Sequence, residues 1–183
     1  MRKSIWALMG LVLLIGLAVS VAAAPPGRRR GPAAAQAQAQ EQAQPQLPQA
    51  VSSAVASAFP GDGVADSEPD SEDGVSLYSV ELSSGAEVLV TADGVILEVA
   101  YETEMSKVPA AAAQALQKAA AGAAIDEVLR LEIRAEIEGG KAVRLGESEI
   151  LYSASFRKGG KTGEIDVAAD GTIVSPLEWG TGD

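Results

Sequence analysis

The sequence predicts an α+β fold made of two tandem repeats, each with one α-helix packed on an antiparallel β-meander of about four strands. Three observations support this prediction. Apolar residues recur with helical spacing in two Ala-rich segments, each of which begins just after a proline. Each segment is followed by runs in which apolar and polar residues alternate, as in half-buried strands. The same order of segments, ending in an Ala-Asp-Gly turn, occurs twice.

The composition permits a folded core and excludes several kinds of site. The chain has 183 residues, of which 47% are hydrophobic, which is enough to bury a core. It contains no Cys and no His. Ser-His-Asp triads, thiol nucleophiles, structural zinc sites, iron-sulfur clusters and disulfides are therefore excluded. No catalytic residue, cofactor or metal ligand is predicted.

The first 24 residues are typical of an export signal. Arg2 and Lys3 precede an apolar run from Ile5 to Ala24 that ends in small residues. Cleavage after Ala23 is favoured over cleavage after Ala24, because the second choice would place a proline directly after the cut.

The alternative is that this segment stays attached as a membrane anchor. About 20 apolar residues are enough to span a bilayer, and the adjacent cluster Arg28–Arg30 resists translocation. Both interpretations place the folded part outside the cytoplasm, in the periplasm or in the medium of a bacterial cell. Membrane contact is expected only through this segment, if it is uncleaved.

Residues 25–46 are rich in Pro, Ala and Gln and predict a disordered linker. The sign of the charge changes at Leu47. Before it the chain has five basic residues and one acidic residue, a net charge of +4; from it onward there are nine basic and 24 acidic residues, a net charge of −15. A surface this acidic repels phosphate backbones, so no nucleic acid is expected to bind. A cationic partner, divalent ions or simple solubility remain as interpretations.

The two repeats are predicted at 47–106 and 107–183, and each opens with its helix. Pro48 is followed by an amphipathic segment over 49–59, and Pro109 by another over 110–120. A proline is tolerated at the start of a helix, because the first backbone N–H groups have no partner within the helix.

Matching strands follow each helix. Leu77–Leu82 corresponds to Leu151–Phe156, and Glu87–Val90 corresponds to Glu164–Val167. Each second strand leads to an Asp-Gly turn, which predicts a hairpin because glycine adopts a positive φ at little cost. The turn residues are Asp93, Gly94, Asp170 and Gly171.

The second repeat has an insertion, a long half-buried strand over Leu129–Ile137. In the first repeat the matching region is Asp66–Asp73, which is acidic, shorter and less regular. Units of this size bury only a modest core. The two units are therefore expected to pack together or to share a sheet.

These features resemble the PepSY-type domains of exported bacterial proteins, and in particular the PepSY-like, or beta-lactamase-inhibitor-like, subgroup with tandem copies. The similar residues are the Leu-Pro or Val-Pro helix starts, the Phe59-Pro60-Gly61 helix exit, the strand Tyr78-Ser79-Val80-Glu81-Leu82 and the two Ala-Asp-Gly turns. The resemblance spans about 47–179. It departs from the pattern at Ala120-Ala121, which stands where the first copy has Phe59-Pro60.

The resemblance implies an exported, non-enzymatic module that binds another extracytoplasmic protein and restrains a peptidase or another envelope protein. A structural or calcium-binding envelope protein is the alternative. A hydrolase acting through carboxylates or a serine-lysine pair is a third interpretation. Tyr101 and Trp179, near the ends of the repeats, are candidate interface residues because aromatic residues often anchor interfaces.

Three weaker patterns favour structural interpretations. Ser155–Lys158 and Lys161–Gly163 match two boxes of penicillin-interacting enzymes, but Ser155 ends a predicted strand, where residues three apart face opposite ways. The acidic stretch lacks the glycine and glutamate that a calcium loop needs at its sixth and twelfth positions; its residues are Asp66, Glu68, Asp70, Glu72 and Asp73. Glu132 and Glu136 fit a solvated sheet face rather than an acid-base pair.

Overall fold

The computed structural model describes residues 47–180, which form two helices and eight strands. In chain order the elements are α1 (Gln49–Ala58), β1 (Val64–Glu72), β2 (Val75–Leu82), β3 (Glu87–Thr91), β4 (Ile96–Glu102), a 3₁₀ turn (Met105–Lys107), α2 (Ala110–Ala120), β5 (Ala124–Glu138), β6 (Lys141–Lys158), β7 (Lys161–Ala168) and β8 (Ile173–Trp179). The predicted signal peptide, its cleavage positions Ala23 and Ala24, and the predicted linker lie outside the described residues.

Both predicted helices are confirmed, and both begin directly after their proline. The carbonyl of Pro48 accepts a hydrogen bond from the Ser52 N–H at 3.0 Å, and that of Pro109 accepts one from Ala113 at 2.9 Å. Each proline therefore supplies the first acceptor of its helix. Its missing N–H removes no hydrogen bond there, because the first N–H groups of a helix have no carbonyl acceptor within the helix.

The predicted fold class is wrong. The eight strands form one open antiparallel sheet in the order β1 to β8, not two repeats of a helix on its own meander. The two halves of the chain are joined by the pairing of β4 with β5, which runs from Glu98 opposite Ile133 to Glu102 opposite Leu129. This pairing makes the sheet continuous, so the two halves share a single sheet.

Both helices lie on the same face of this sheet. Tyr101 of β4 packs on the core cluster under α1 and lies opposite Arg130 of β5. Val128, two residues from Arg130 and so on the same side of β5, belongs to the core cluster under α2. We call this side the helix-covered face. Its buried side chains include Val51 and Val55 from α1 and Leu116 from α2, and they bury the apolar stripe of each helix.

The opposite side of the sheet, the helix-free face, has its own apolar core. Leu77, Leu89 and Leu97 are buried there, and they pack with Ala135 and Ile137 of the long β5–β6 hairpin. A second cluster on this face contains Ala100, Leu131 and Leu151. The strands are therefore held by packing on both sides, and polar side chains surround these clusters.

Two strands differ most from their predicted extent. Most of the acidic stretch belongs to the nine-residue strand β1, which pairs with β2 continuously from Asp66 to Glu72 and has an irregularity between Val64 and Asp66. Strand β6 has 18 residues, of which the sequence pattern predicted only Leu151–Phe156. Its additional residues pair with the end of β5 from Ala135 to Glu138, beyond an irregular stretch of the ladder.

The two Asp-Gly turns connect β3 to β4 and β7 to β8, and each one contacts a helix. Gly94 has φ +89°, and a Cβ atom placed on it would lie 2.8 Å from the carbonyl oxygen of Ala50 in α1. Gly171 has φ +86°, and its Cβ would lie 2.8 Å from the carbonyl oxygen of Ala111 in α2. Glycine is required at both positions by the backbone conformation and by the closeness of the helix.

Candidate functional site

A band of carboxylates crosses the helix-free face of the sheet. Its members come from six of the eight strands. Successive side chains of a strand point to opposite faces, so a residue next to one on the helix-covered face lies on the helix-free face. We call this set the acidic band. It consists of Glu68, Glu81, Glu87, Glu102, Glu127, Glu164 and Asp166.

The first half of the band is organised around Glu87 of β3. The Ser79 hydroxyl of β2 donates a hydrogen bond to Glu87 Oε1 at 2.6 Å, and Glu81 is the direct cross-strand partner of Glu87. Burial raises the pKa of Glu87; the hydrogen bond from Ser79 opposes this rise, and the charges of Glu81 and Glu68 add to it. Two like charges directly opposite each other on a sheet are unfavourable.

The second half repeats this arrangement around Glu164 of β7. The Ser153 hydroxyl donates to Glu164 Oε1 at 2.9 Å. Burial raises the pKa of Glu164, the hydrogen bond from Ser153 opposes it, and Asp166 and Glu127 raise it further. Because Ser153 is only 2% exposed, its hydroxyl holds the carboxylate and is shielded from any substrate.

Glu127 of β5 connects the two halves electrostatically. Burial raises its pKa, and the charges of Glu102 and Glu87 raise it further. Glu127 in turn raises the pKa of Glu164. Burial and the charges of neighbouring carboxylates in the band thus raise the pKa values of Glu87, Glu127 and Glu164, and keeping these three glutamates ionised costs free energy.

Elsewhere between residues 47 and 180, the surface offers fewer ways to bind a partner. The edge strands β1 and β8 contain Pro69 and Pro176 respectively, and proline in an edge strand opposes the addition of another strand. The helix-covered face is occupied by α1 and α2. The helix-free face is therefore the broad surface on which rigid strands present charged side chains.

The structure places both predicted aromatic interface residues on the helix-covered face and apart from each other. Tyr101 is half-buried beside α1, and the Arg130 guanidinium lies 5.8 Å from its ring centroid. Trp179 is 38% exposed at the edge of the sheet in β8, where its ring lies against Gly163 of β7. Neither residue belongs to the acidic band, and their role at an interface stays a prediction.

The serine-lysine pattern is divided between the two faces of β6. Ser155 lies opposite Glu164 of β7, on the helix-free face. Lys158, three residues on and so on the other face, donates to the Ala121 carbonyl oxygen at the end of α2, at 3.4 Å. The geometry does not bring the two side chains together.

The acidic residues of β1 do not form an ion-binding cage. Asp66 Oδ1 accepts a hydrogen bond from the N–H of Ser67, and Asp70 Oδ1 accepts one from Ser71. Asp73 has φ +47° in the β1–β2 turn. Between residues 47 and 180, no group of three acidic side chains converges in a way that would hold a metal ion.

Glu132, which the sequence suggested as a solvated carboxylate, is paired with cations instead. It accepts a hydrogen bond from Arg134 Nε at 2.9 Å, and Arg130 Nη1 lies 3.6 Å from its other oxygen. Glu136 lies on the same side of β5, the helix-covered face. The acidic band was not predicted from the sequence; of its members, only Glu164 and Asp166 occupy alternate positions of one predicted strand.

Comparison with known proteins shows the fold. No family model and no curated protein matches the sequence. A candidate periplasmic protein from Bacteroides eggerthii is similar in structure, with a TM-score of 0.54 and 13% identity over 73% of this chain and 88% of that one. A DUF2874 family protein from Bacteroides uniformis has a TM-score of 0.53 and 12% identity over 72% and 88%.

A BLIP-like protein from Bacteroides fragilis aligns with 16% identity over 74% of this chain and 88% of that one, at a TM-score of 0.48. That score is too low to support an argument. The resemblance to PepSY-type domains stays a prediction. In the part of the chain from 47 to 180, no helix has the length and apolar character needed to cross a bilayer.

Proposed function

We propose that this protein is an exported, non-catalytic module that binds a cationic surface of another extracytoplasmic protein through the helix-free face of its sheet. The acidic band is the observation on which the proposal depends. It collects negative charge on a rigid surface whose geometry raises the pKa values of three glutamates. A partner with lysines or arginines at matching positions would offset the repulsion between these carboxylates. The same charges would steer the partner to the helix-free face before contact.

Three further observations support the proposal. Strand addition at the sheet edges is opposed by Pro69 and Pro176, which favours recognition by side chains of the face. The predicted extracytoplasmic location agrees with the candidate periplasmic protein that shares the fold. Ser79 and Ser153 hold Glu87 and Glu164 in place through hydrogen bonds. This role is structural and requires no reaction of the serine hydroxyls.

The test begins with photo-crosslinking in cells. A photoreactive amino acid is placed at Glu81, an exposed position of the acidic band, or at Gln117, an exposed position of α2. We expect the first position to crosslink to a discrete protein and the second to give no such product. Crosslinking of the same protein from both positions would contradict the assignment of the face.

The affinity of the identified partner is then measured with two variants of equal net charge. Replacement of Glu81 and Glu127 by Gln removes two exposed charges from the band; replacement of Glu138 and Glu147 removes two exposed charges elsewhere. We expect the first variant to bind about tenfold more weakly, which corresponds to ~1.4 kcal/mol, and the difference to shrink at high salt. Equal effects of the two variants would refute the proposal.

A further inference from the structure

The outer part of the long β5–β6 hairpin has an exposed strand edge. Strand β6 pairs with β7 only from Leu151 onward, whereas its pairing with β5 continues out to Lys141 at the hairpin turn. Between residues 47 and 180, no strand pairs with the outer side of β6 over residues 141–150. The sheet therefore has a third edge, besides those of β1 and β8. We call residues 141–149 the hairpin edge.

The backbone of the hairpin edge has hydrogen-bonding groups that point outward. The hairpin turn at 139–140 has a positive φ at both glycines, and the residues that flank such a two-residue turn form a hydrogen-bonded pair. Hydrogen-bonded and non-hydrogen-bonded pairs then alternate along an antiparallel ladder. Ala142 and Arg144, at one and three positions beyond Lys141, therefore lie in non-hydrogen-bonded pairs with β5. Their N–H and C=O groups point away from β5, toward the hairpin edge.

The hairpin edge also lacks the feature that protects the two outer edges of the sheet. Strands β1 and β8 contain Pro69 and Pro176, and a proline has no N–H to donate to an added strand. Strand β6 contains no proline. Over residues 145–148 the ladder with β5 is interrupted as well, because it passes from Arg144 directly to Glu149. The hairpin edge therefore leaves backbone groups available for pairing with a further strand.

The charges of the hairpin edge make it complementary to a second copy of itself. It has two basic residues near its start, two acidic residues near its end and two apolar residues around its centre: Lys141, Arg144, Glu147, Glu149, Val143 and Leu145. Antiparallel pairing of two copies brings the basic end of each onto the acidic end of the other, and joins the two apolar centres. Parallel pairing in register would place like charges side by side, which is unfavourable.

We propose that two molecules associate by antiparallel pairing of their hairpin edges, centred on Leu145, to form a two-fold symmetric dimer. Leu145 is the middle residue of the hairpin edge, and β7 occupies this side of β6 from Leu151 onward. Nine residues of strand span about 30 Å. A single pair of strands is smaller than a standard interface of about 1,600 Å², so the dimer is weak and depends on protein concentration.

The first test is disulfide crosslinking of the full chain. The sequence has no cysteine, so each replacement provides a single thiol. In the proposed dimer, two copies of residue 145 face each other with their Cα atoms about 4.5–5.5 Å apart, which suits a disulfide bond. We expect mild oxidation to link Leu145→Cys into a dimer. Lys141→Cys should not crosslink, because antiparallel pairing separates its two copies by roughly eight residues of strand, about 26 Å.

The second test measures the dissociation constant of the dimer by sedimentation equilibrium. Lys141→Glu should weaken the dimer about tenfold, because it places like charges opposite each other at both ends of the pairing. Glu147→Lys should have a similar effect. The double variant should recover the original affinity to within about threefold, since the exchanged ends again meet opposite charges. Lys161→Glu makes the same change in net charge at an exposed position of β7 and should leave the dimer unaffected.

The contribution of the backbone is tested at Arg144. Arg144→Pro removes an N–H that points to the second copy, whereas Arg144→Gln removes only the charge. We expect the proline variant to dimerise about tenfold more weakly than the glutamine variant.

Three results would overturn the inference: a protein that stays monomeric up to about 1 mM, a dimer that the double charge exchange does not restore, or crosslinking of Lys141→Cys as readily as Leu145→Cys. The last result would indicate parallel pairing or association through another surface. Recovery in the double variant also excludes misfolding of the hairpin as the cause of the single effects. The hairpin edge contains no residue of the acidic band, so the dimer and the proposed function are tested by different variants.

Discussion

Replacement of Gly94 by alanine tests whether the β3–β4 turn holds α1 on the sheet. The backbone at Gly94 has φ +89°, and a Cβ atom there would lie 2.8 Å from the Ala50 carbonyl oxygen. Real Cβ atoms do not approach a backbone oxygen so closely, so either the turn or the helix has to move. Gly85, in the β2–β3 turn, is a matched control: its φ is +82°, and no atom lies within 4 Å of the position its Cβ would take.

The two glycines separate the conformational cost from the steric cost. An alanine at a positive φ costs about 1–2 kcal/mol, and both variants incur this term. Forcing an extra methyl group into a packed site costs roughly 1–3 kcal/mol more, and only Gly94→Ala incurs that term. For a folded part of this size, 1 kcal/mol lowers the melting temperature by about 4 °C. We therefore expect Gly94→Ala to melt roughly 4–12 °C below Gly85→Ala.

The measurement is equilibrium unfolding in urea and by heat, followed by circular dichroism. The dependence of the free energy of unfolding on urea should be unchanged, because a local change leaves the surface exposed on unfolding the same. Gly171→Ala should behave like Gly94→Ala, since its Cβ would lie equally close to Ala111. Equal stability of Gly94→Ala and Gly85→Ala would show that the close contact between turn and helix does not contribute.

Two predictions concern the carboxylates. Because the pKa values of Glu87, Glu127 and Glu164 are raised from 4.5, the folded state binds protons more tightly than the unfolded state. The stability contributed by these groups is therefore fully present below pH 4.5 and is lost as the pH rises through the raised values. The melting temperature should be higher at about pH 5 than at about pH 8. Replacement of Glu87 and Glu164 by Gln should make the melting temperature less dependent on pH. A melting temperature that rises with pH would contradict the prediction. Ser79→Ala removes the hydrogen bond that lowers the pKa of Glu87. Carboxyl NMR titration should then show a higher pKa for Glu87, and the free energy of unfolding should fall by about 1 kcal/mol. Ser76→Ala, at an exposed position of the same strand, should change neither quantity.

Local structure was predictable where one or two residues decide it. Pro48 and Pro109 fix the starts of the helices, and the Asp-Gly pairs fix two hairpins, because these residues restrict the backbone on their own. Strand β1 was less accessible to prediction. Only Ser67 is buried along it, so its sequence has little strand-like alternation. Its conformation depends on pairing with β2, which a local pattern does not report.

The fold class was mispredicted because it depends on one non-local pairing. Alternation along β4 and β5 indicates which side chains are buried, and it does not say that Ala100 will lie opposite Leu131. Alternation is satisfied equally by two separate sheets or by one. The acidic band was missed for the same reason. Glu81, Glu102 and Glu127 are ordinary exposed glutamates in the sequence, and only the order of the strands brings them onto one surface.

The pairing of β4 with β5 also has a consequence for how the chain reaches its native state. Every other pair of neighbouring strands is a hairpin closed by a few residues, whereas β4 and β5 are separated by the whole of α2. Loop closure therefore makes this the most costly pairing to establish. Until it forms, each half presents an edge strand without proline, unlike the outer edges at Pro69 and Pro176. In two partly folded molecules, the free edge of β4 in one chain could pair with the free edge of β5 in the other. An exchange of halves at the β4–β5 pairing would then produce a domain-swapped dimer.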